Sequence, residues 1–192
     1  TRPPCVVAYT AEPFEYPRAW PANIHFVGPG LWEPDAQAPA ERPEAGAPPL
    51  VLVTCSTEFQ NDGKLVEVAL EPLAEEPVQV VATTASVDPA LFRAPANARV
   101  ERFLPHGPLL QRAAAVVCHG GMGITQKALS AGVPVCVVPF GRDQLEVARH
   151  VEQCGAGARL LPKKLTAARL RTAVRETLTR KAQAQRIAAA FQ

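Results

Sequence analysis

From residue 50 onward, short β-branched runs alternate with longer amphipathic stretches, and that alternation limits this chain to very few folds. Residues 50–55 (LVLVTC) form a continuous apolar run, the pattern of a strand covered on both faces. Further strands are expected over 78–82, 99–103, 114–118 and 133–138, with a brief extended piece at 158–161. Helical patterns lie between them at 64–73, 109–113, 123–131 and 144–154, the last stopped by Gly155. Thr166 offers an N-cap to a helix over 167–179, and a final helix covers 181–191. Strands joined through helices run parallel by right-handed crossovers, so the expected class is α/β with a doubly wound parallel sheet. In such sheets ligands bind beyond the carboxyl ends of the strands, where the strand order reverses.

The first 49 residues are different. They hold eleven of the twenty prolines, and proline fixes φ and removes a backbone donor. Only 5–9 has the pattern of a strand there, and 35–49 (DAQAPAERPEAGAPP) is expected to be a surface linker. The expected boundaries are therefore 1–30, 31–49 and 50–192. Trp20 and Trp32 fall among the prolines and are expected to pack at the domain junction. With Thr1 in first place, the true start is expected to be missing; nothing there has the pattern of a signal peptide.

At 192 residues the length suits one full domain with a fragment of another. No apolar run approaches the roughly 20 residues of a membrane helix. Five cysteines, none in a C-x-x-C pair, fit poorly with a disulfide framework. Four lie in or beside apolar runs and are expected in the core, which points to a reducing, cytoplasmic compartment. Residues 159–186 carry nine Lys or Arg against the single acid Glu176. No aromatic interleaving or nucleic-acid reader motif accompanies that charge, so it is read as a solvated helix face or a surface that docks on another domain.

Two strand–helix junctions carry candidate chemistry. After the strand ending at Cys118 comes His119-Gly120-Gly121-Met122-Gly123-Ile124-Thr125. The three glycines permit positive φ and close backbone approach, and the following helix turns its free N–H groups and positive dipole end toward the same place. This suits an anion, with His119 able to donate to a phosphate oxygen; the bland alternative is a tight turn. A nicotinamide-binding G-x-G-x-x-G fails on spacing, and a Walker loop fails because no G-K-S/T closes it. The second junction is Pro139-Phe140-Gly141-Arg142-Asp143-Gln144. Asp143 accepts, while Gln144 accepts and donates, which suits the vicinal hydroxyls of a sugar. Asp143 could equally cap the next helix.

These segments resemble the donor-binding domain of the glycosyltransferase family that includes natural-product, macrolide and plant small-molecule enzymes. Asn23-Ile24-His25-Phe26-Val27-Gly28-Pro29 resembles the end of the family's acceptor domain and its linker. Residues 51–57 resemble the first donor-domain strand and turn, and Arg102-Phe103-Leu104-Pro105 the base-binding segment. The two junctions match the H-G-G-x-G and P-x-x-x-D-Q signatures. The resemblance implies the second Rossmann-like half of a GT-B fold. It also implies inverting transfer of a hexose or deoxyhexose from a UDP- or TDP-sugar to a hydroxyl of a small-molecule acceptor. By the same resemblance, the diphosphate falls to His119, Gly121, Gly123, Ile124, Thr125 and Thr57. The base falls to Phe103, Leu104 and His106, and the sugar to Asp143 and Gln144. Lys127 stands where the family carries a ribose-binding glutamate, and a lysine cannot accept from the ribose hydroxyls. The general base belongs to the acceptor domain, so this chain is expected to bring no catalytic residue, metal or cofactor besides the nucleotide sugar, and to be inactive alone. A nucleotide-sugar epimerase of the same fold and a degenerate binding module are the rival readings.

Overall fold

A computed structural model describes residues 4–32, 46–57 and 63–192. The larger sheet and its helices are built from β3 (Leu50–Thr54), α1 (Gly63–Ala74), β4 (Gln79–Thr83), β5 (Ala98–Glu101), α2 (His106–Leu110) and β6 (Ala113–Cys118). It continues through α3 (Met122–Ser130), β7 (Val135–Val137), α4 (Gln144–Gln153), β8 (Gly157–Arg159), α5 (Ala167–Leu178) and α6 (Lys181–Ala190). The six strands form one parallel sheet in the order β5-β4-β3-β6-β7-β8. The chain thus winds outward from β3, returns, and winds the other way from β6. The doubly wound parallel sheet expected from the alternation is present, with its switch point between the carboxyl ends of β3 and β6.

Alternation along the strands divides the core. Val51, Val53, Val117 and Cys136 face α1 and α5, while Leu52, Val116, Cys118, Val135 and Val137 face α3, α4 and α6. Both faces are dry, as the unbroken apolar runs required. Cys55, Cys118 and Cys136 are buried, Cys154 is half-buried and Cys5 is exposed, and all five are free thiols. Burial pushes the Cys118 thiol up to about 11 and the Cys136 thiol up to about 12, so both behave as small hydrophobes.

Some boundaries moved for identifiable reasons. The strand expected over 133–138 reduces to three residues because Pro134 has no N–H for the ladder. The helix expected at 109–113 instead starts at His106, since Pro108 is tolerated within a first turn. Thr166 caps α5 as expected, accepting from the Arg169 amide at 3.4 Å. Part of the basic excess of 159–186 is met within the fold. Arg175 forks onto Glu76, Arg171 reaches Glu75 and Glu76, and Arg159 pairs with Glu152.

The N-terminal stretch supplies two strands, where one was expected: β1 (Val6–Ala8) pairs parallel with β2 (Ile24–Phe26). Between them a 3₁₀ turn, Glu12–Phe14, drops Phe14 into the α6 side of the core, edge-on to Phe191 at 5.8 Å. Trp20 packs on Phe26 with Arg18 over its ring. Trp32 does not pack: it is 74% exposed, which corrects the expectation for it. Most of the linker expected at 35–49 lies outside the described residues. Among the described residues, no helix is long and apolar enough to cross a membrane.

Candidate functional site

A cleft of about 490 Å³ opens at the switch point. Its floor comes from the tip of β3 and the turn after it (Thr54, Cys55, Ser56, Thr57), and from His119, Gly121, Gly123, Ile124 and Lys127 after β6. Phe103, Leu104, Pro105 and His106, between β5 and α2, line it as well, together with Gly30, Leu31 and Trp32. A cleft of similar volume between β5 and α2 reaches the amino ends of β3 and β4 at Leu50 and Gln79, away from the switch point.

The glycine turn has a separate reason at each position. Gly120 has φ of 90°, and a Cβ there would stand 2.5 Å from Val137 Cγ1. At Gly121 a Cβ would collide with His119 Nε2 at 2.5 Å, so its absence lets the imidazole lie along the start of α3. Gly123 is different: nothing lies within 4 Å of the Cβ position, and the residue is exposed. The protein fills the space beside Gly120 and Gly121 and leaves the space at Gly123 to solvent.

The Thr125 amide bonds the Gly121 carbonyl at 3.1 Å. The amides of Met122, Gly123 and Ile124, one step nearer the terminus, precede that first turn of the ladder and face the cleft end of α3. The helix dipole adds partial positive charge there, and Lys127, one turn on, adds a full one. His119 is 8% exposed, so its polarity acts in a largely desolvated place. Among the described lining residues there is no carboxylate, so the fixed charge of the cleft is positive in sign.

A polar relay supports the wall. Thr83 donates to Thr54 Oγ1 at 2.7 Å, and its hydroxyl lies 3.2 Å from His106 Nε2. The three residues come from β4, β3 and α2, so the relay sets the β5–α2 turn against the β3 tip. His106 therefore both lines the cleft and braces it.

Of the residues singled out in the sequence, the structure gathers Thr57, Phe103, Leu104, His106, His119, Gly121, Gly123, Ile124 and Lys127 into this one cleft. Thr125 needs correction. Its side chain is fully buried and its hydroxyl donates to the Gly121 carbonyl at 2.9 Å, so it shapes the turn and cannot touch a ligand. Gln144 needs correction too. It is 2% exposed, and its Oε1 accepts the amides of Phe140 at 2.7 Å and Gly141 at 3.0 Å. Its side chain therefore folds the loop that presents Asp143. Asp143 is exposed at the loop tip, and its carbonyl accepts from Glu146 and Val147 while its carboxylate makes no capping bond. Arg142 beside it sits at φ of 55°, a strained conformation for a residue with a Cβ. The two junction loops touch: a Cβ on Gly120 would lie 3.3 Å from the Gln144 carbonyl. Sequence reasoning gave neither Ser56 nor Trp32 a place in the site. Ser56 carries a hydroxyl at a strand tip, a signal that was visible; Trp32 is placed only by the path of the linker.

Comparison with known proteins identifies the family. Residues 67–191 match the family described as erythromycin biosynthesis protein CIII-like, C-terminal domain. The chain belongs to that family. It is 40% identical over 173 residues to the 4'-demethylrebeccamycin synthase of Lentzea aerocolonigenes, covering 88% of this chain and 41% of that protein. It is 38% identical over 177 residues to a PGL/p-HBAD biosynthesis glycosyltransferase of Mycobacterium tuberculosis strain H37Ra, covering 89% and 40%. Among solved structures, the glycosyltransferase VinC in complex with DTDP superposes with a TM-score of 0.74 at 28% identity, covering 97% of this chain and 48% of that one. The chain thus spans about two fifths of the length of the curated relatives it matches. Fold and family are those of the C-terminal, Rossmann-like domain of GT-B natural-product glycosyltransferases.

Proposed function

We propose that this chain binds the donor of a glycosyl transfer, a UDP- or TDP-linked hexose or deoxyhexose, for inverting transfer to a hydroxyl of a small-molecule acceptor. The observation that carries the reading is the bare start of α3. Free amides, a desolvated His119 and an open Gly123 converge on one cleft at the switch point, where negative oxygens are best held. The diphosphate lies against Gly123, Ile124 and His119, with Thr57 and Ser56 on the facing turn. The base takes the apolar end at Phe103 and Leu104, and Lys127 leans toward the phosphates. Asp143, presented by Gln144, faces the sugar hydroxyls from the adjoining loop.

In the reaction the acceptor oxygen forms a bond to the anomeric carbon as the bond from that carbon to the diphosphate breaks. The leaving oxygens gain charge as the bond lengthens. Fixed amides and an imidazole already aimed at them stabilise that charge without reorganising. The acceptor proton goes to a base outside this chain, so this chain alone binds donor without turning it over. Besides the nucleotide sugar and the acceptor, the reading requires no cofactor.

Calorimetric titration with uridine and thymidine diphosphates tests the proposal, with His119→Ala as the paired variant. Saturable binding that His119→Ala weakens supports it, and donor turnover in the whole enzyme then falls by about 10²–10³. No heat with either nucleotide would mean a degenerate module.

A further inference from the structure

The linker after β2 does more than connect. Val27 and Gly28 donate to the carbonyls of Ala8 and Thr10, each at 3.0 Å, which continues the β1–β2 pairing past its end. Gly28 adopts φ of 75°, and the place of its missing Cβ is taken by the Phe191 carbonyl 2.5 Å away. A Cβ on Gly30 would lie 3.6 Å from the Tyr9 ring, and Leu31 donates back to Pro29. The strand is thus pinned to the C-terminal helix and to the first strand, and its next two residues, Leu31 and Trp32, fall on the rim of the switch-point cleft.

Those rim residues are left without cover. Trp32 is 74% exposed, Phe103 64% and Leu31 48%, and all three line the same cleft. Trp20, in the same proline-rich stretch, packs on Phe26. An exposed indole is unusual, because tryptophan is highly buried on average. Here its position is fixed by a strap whose anchoring requires a glycine. The cleft's anion end and its aromatic end are one space, so a nucleoside diphosphate with its phosphates on α3 extends its base toward Phe103 and Trp32.

We infer that Trp32 is a second aromatic plate for the donor's pyrimidine base, opposing Phe103, and that the 27–32 linker is a strap that closes over the nucleotide. The inference rests on the donor-binding reading and adds a base-binding residue to it. Stacked aromatic faces tolerate either pyrimidine, so the plate supplies affinity rather than a choice between uracil and thymine.

Trp32 reports on its own occupancy. In a Trp20→Phe background it is the chain's single tryptophan. Titration with uridine or thymidine diphosphate should quench and blue-shift its emission, whereas inorganic pyrophosphate should bind without that change. Trp32→Ala should weaken both nucleotides about tenfold and leave pyrophosphate unaffected, and Trp32→Phe should restore most of the loss. His119→Ala should weaken all three. Nucleotides that bind in a His119-dependent way, with Trp32 emission unmoved and Trp32→Ala affinity unchanged, would overturn the strap while leaving the donor site standing. Emission already that of a buried indole before nucleotide is added would also overturn it, because another surface would then hold the ring. Failure of every ligand to bind would remove the donor site and the strap together.

Discussion

At the scale of single residues, the three glycines of the turn make opposite demands although the sequence writes them alike. Gly120→Ala puts a methyl on a left-handed backbone and against Val137, costing about 2–4 kcal/mol of stability by denaturant unfolding. Gly123→Ala meets nothing and gains helix propensity, so stability should hold or rise by about 0.5–1 kcal/mol. Nucleotide affinity should nevertheless drop, because the new methyl stands where the ligand approaches. A Gly123→Ala protein that binds nucleoside diphosphates as the parent does would move the anion away from α3. The pattern H-G-G-x-G was plain in the sequence. Which glycine serves the fold and which serves the ligand was not, since that depends on Val137 and the His119 ring, side chains set by a neighbouring strand and by the turn itself. The same limit explains Gln144 and Thr125. Their polarity was legible, but the direction of their hydrogen bonds depends on backbone groups that only the folded loops bring near.

At the scale of elements, α5 is held against α1 by charge as well as by Leu170, Ala173 and Val174. Arg175 donates twice to Glu76, at 2.7 and 3.0 Å, and Arg171 adds a contact at 3.4 Å. The Arg175 hydrogen bonds hold the Glu76 carboxyl below its ordinary value near 4.5. A carboxylate with a lowered folded value contributes stability that is fully present above the ordinary value and is lost as pH falls through the lowered one. Melting temperature should therefore fall on acidification below about pH 4.5, and Glu76→Gln should flatten that slope while lowering stability at pH 7. An equally steep acid limb in Glu76→Gln would show that other carboxylates dominate. The basic excess of the C-terminal region was countable from sequence. Its acidic counterpart in the turn after α1 lies almost a hundred positions away, and no local pattern announces a pairing across that distance.

At the scale of the whole molecule, the N-terminal segment is bound to the back of the Rossmann-like domain by Phe14, which is 1% exposed and packs on Phe191, and by His150, flanked by Glu15 and Glu146. Phe14→Ala removes a fully buried ring and should cost about 3–5 kcal/mol if the segment unfolds with the core. Hydrogen exchange at the Val27 and Gly28 amides distinguishes local release from global loss. Faster exchange there, with β6 amides still protected, means that the strap undocks by itself. Uniform acceleration would instead make the segment an integral part of the domain.

The sequence by itself determined the parallel α/β sheet, because unbroken Val-rich runs can only be strands buried on both faces. It also determined the two loops at adjacent strand tips, because glycine clusters and polar residues interrupt those runs at the carboxyl ends. Tertiary structure alone decided what each loop residue faces. The crossing of α6 against Gly28 aims Trp32 at the cleft, and the packing of Gly120 on Gln144 turns one polar side chain inward and leaves Asp143 outside. Period and composition are carried by neighbours along the chain, whereas the direction of a side chain is settled by atoms that become neighbours only after folding.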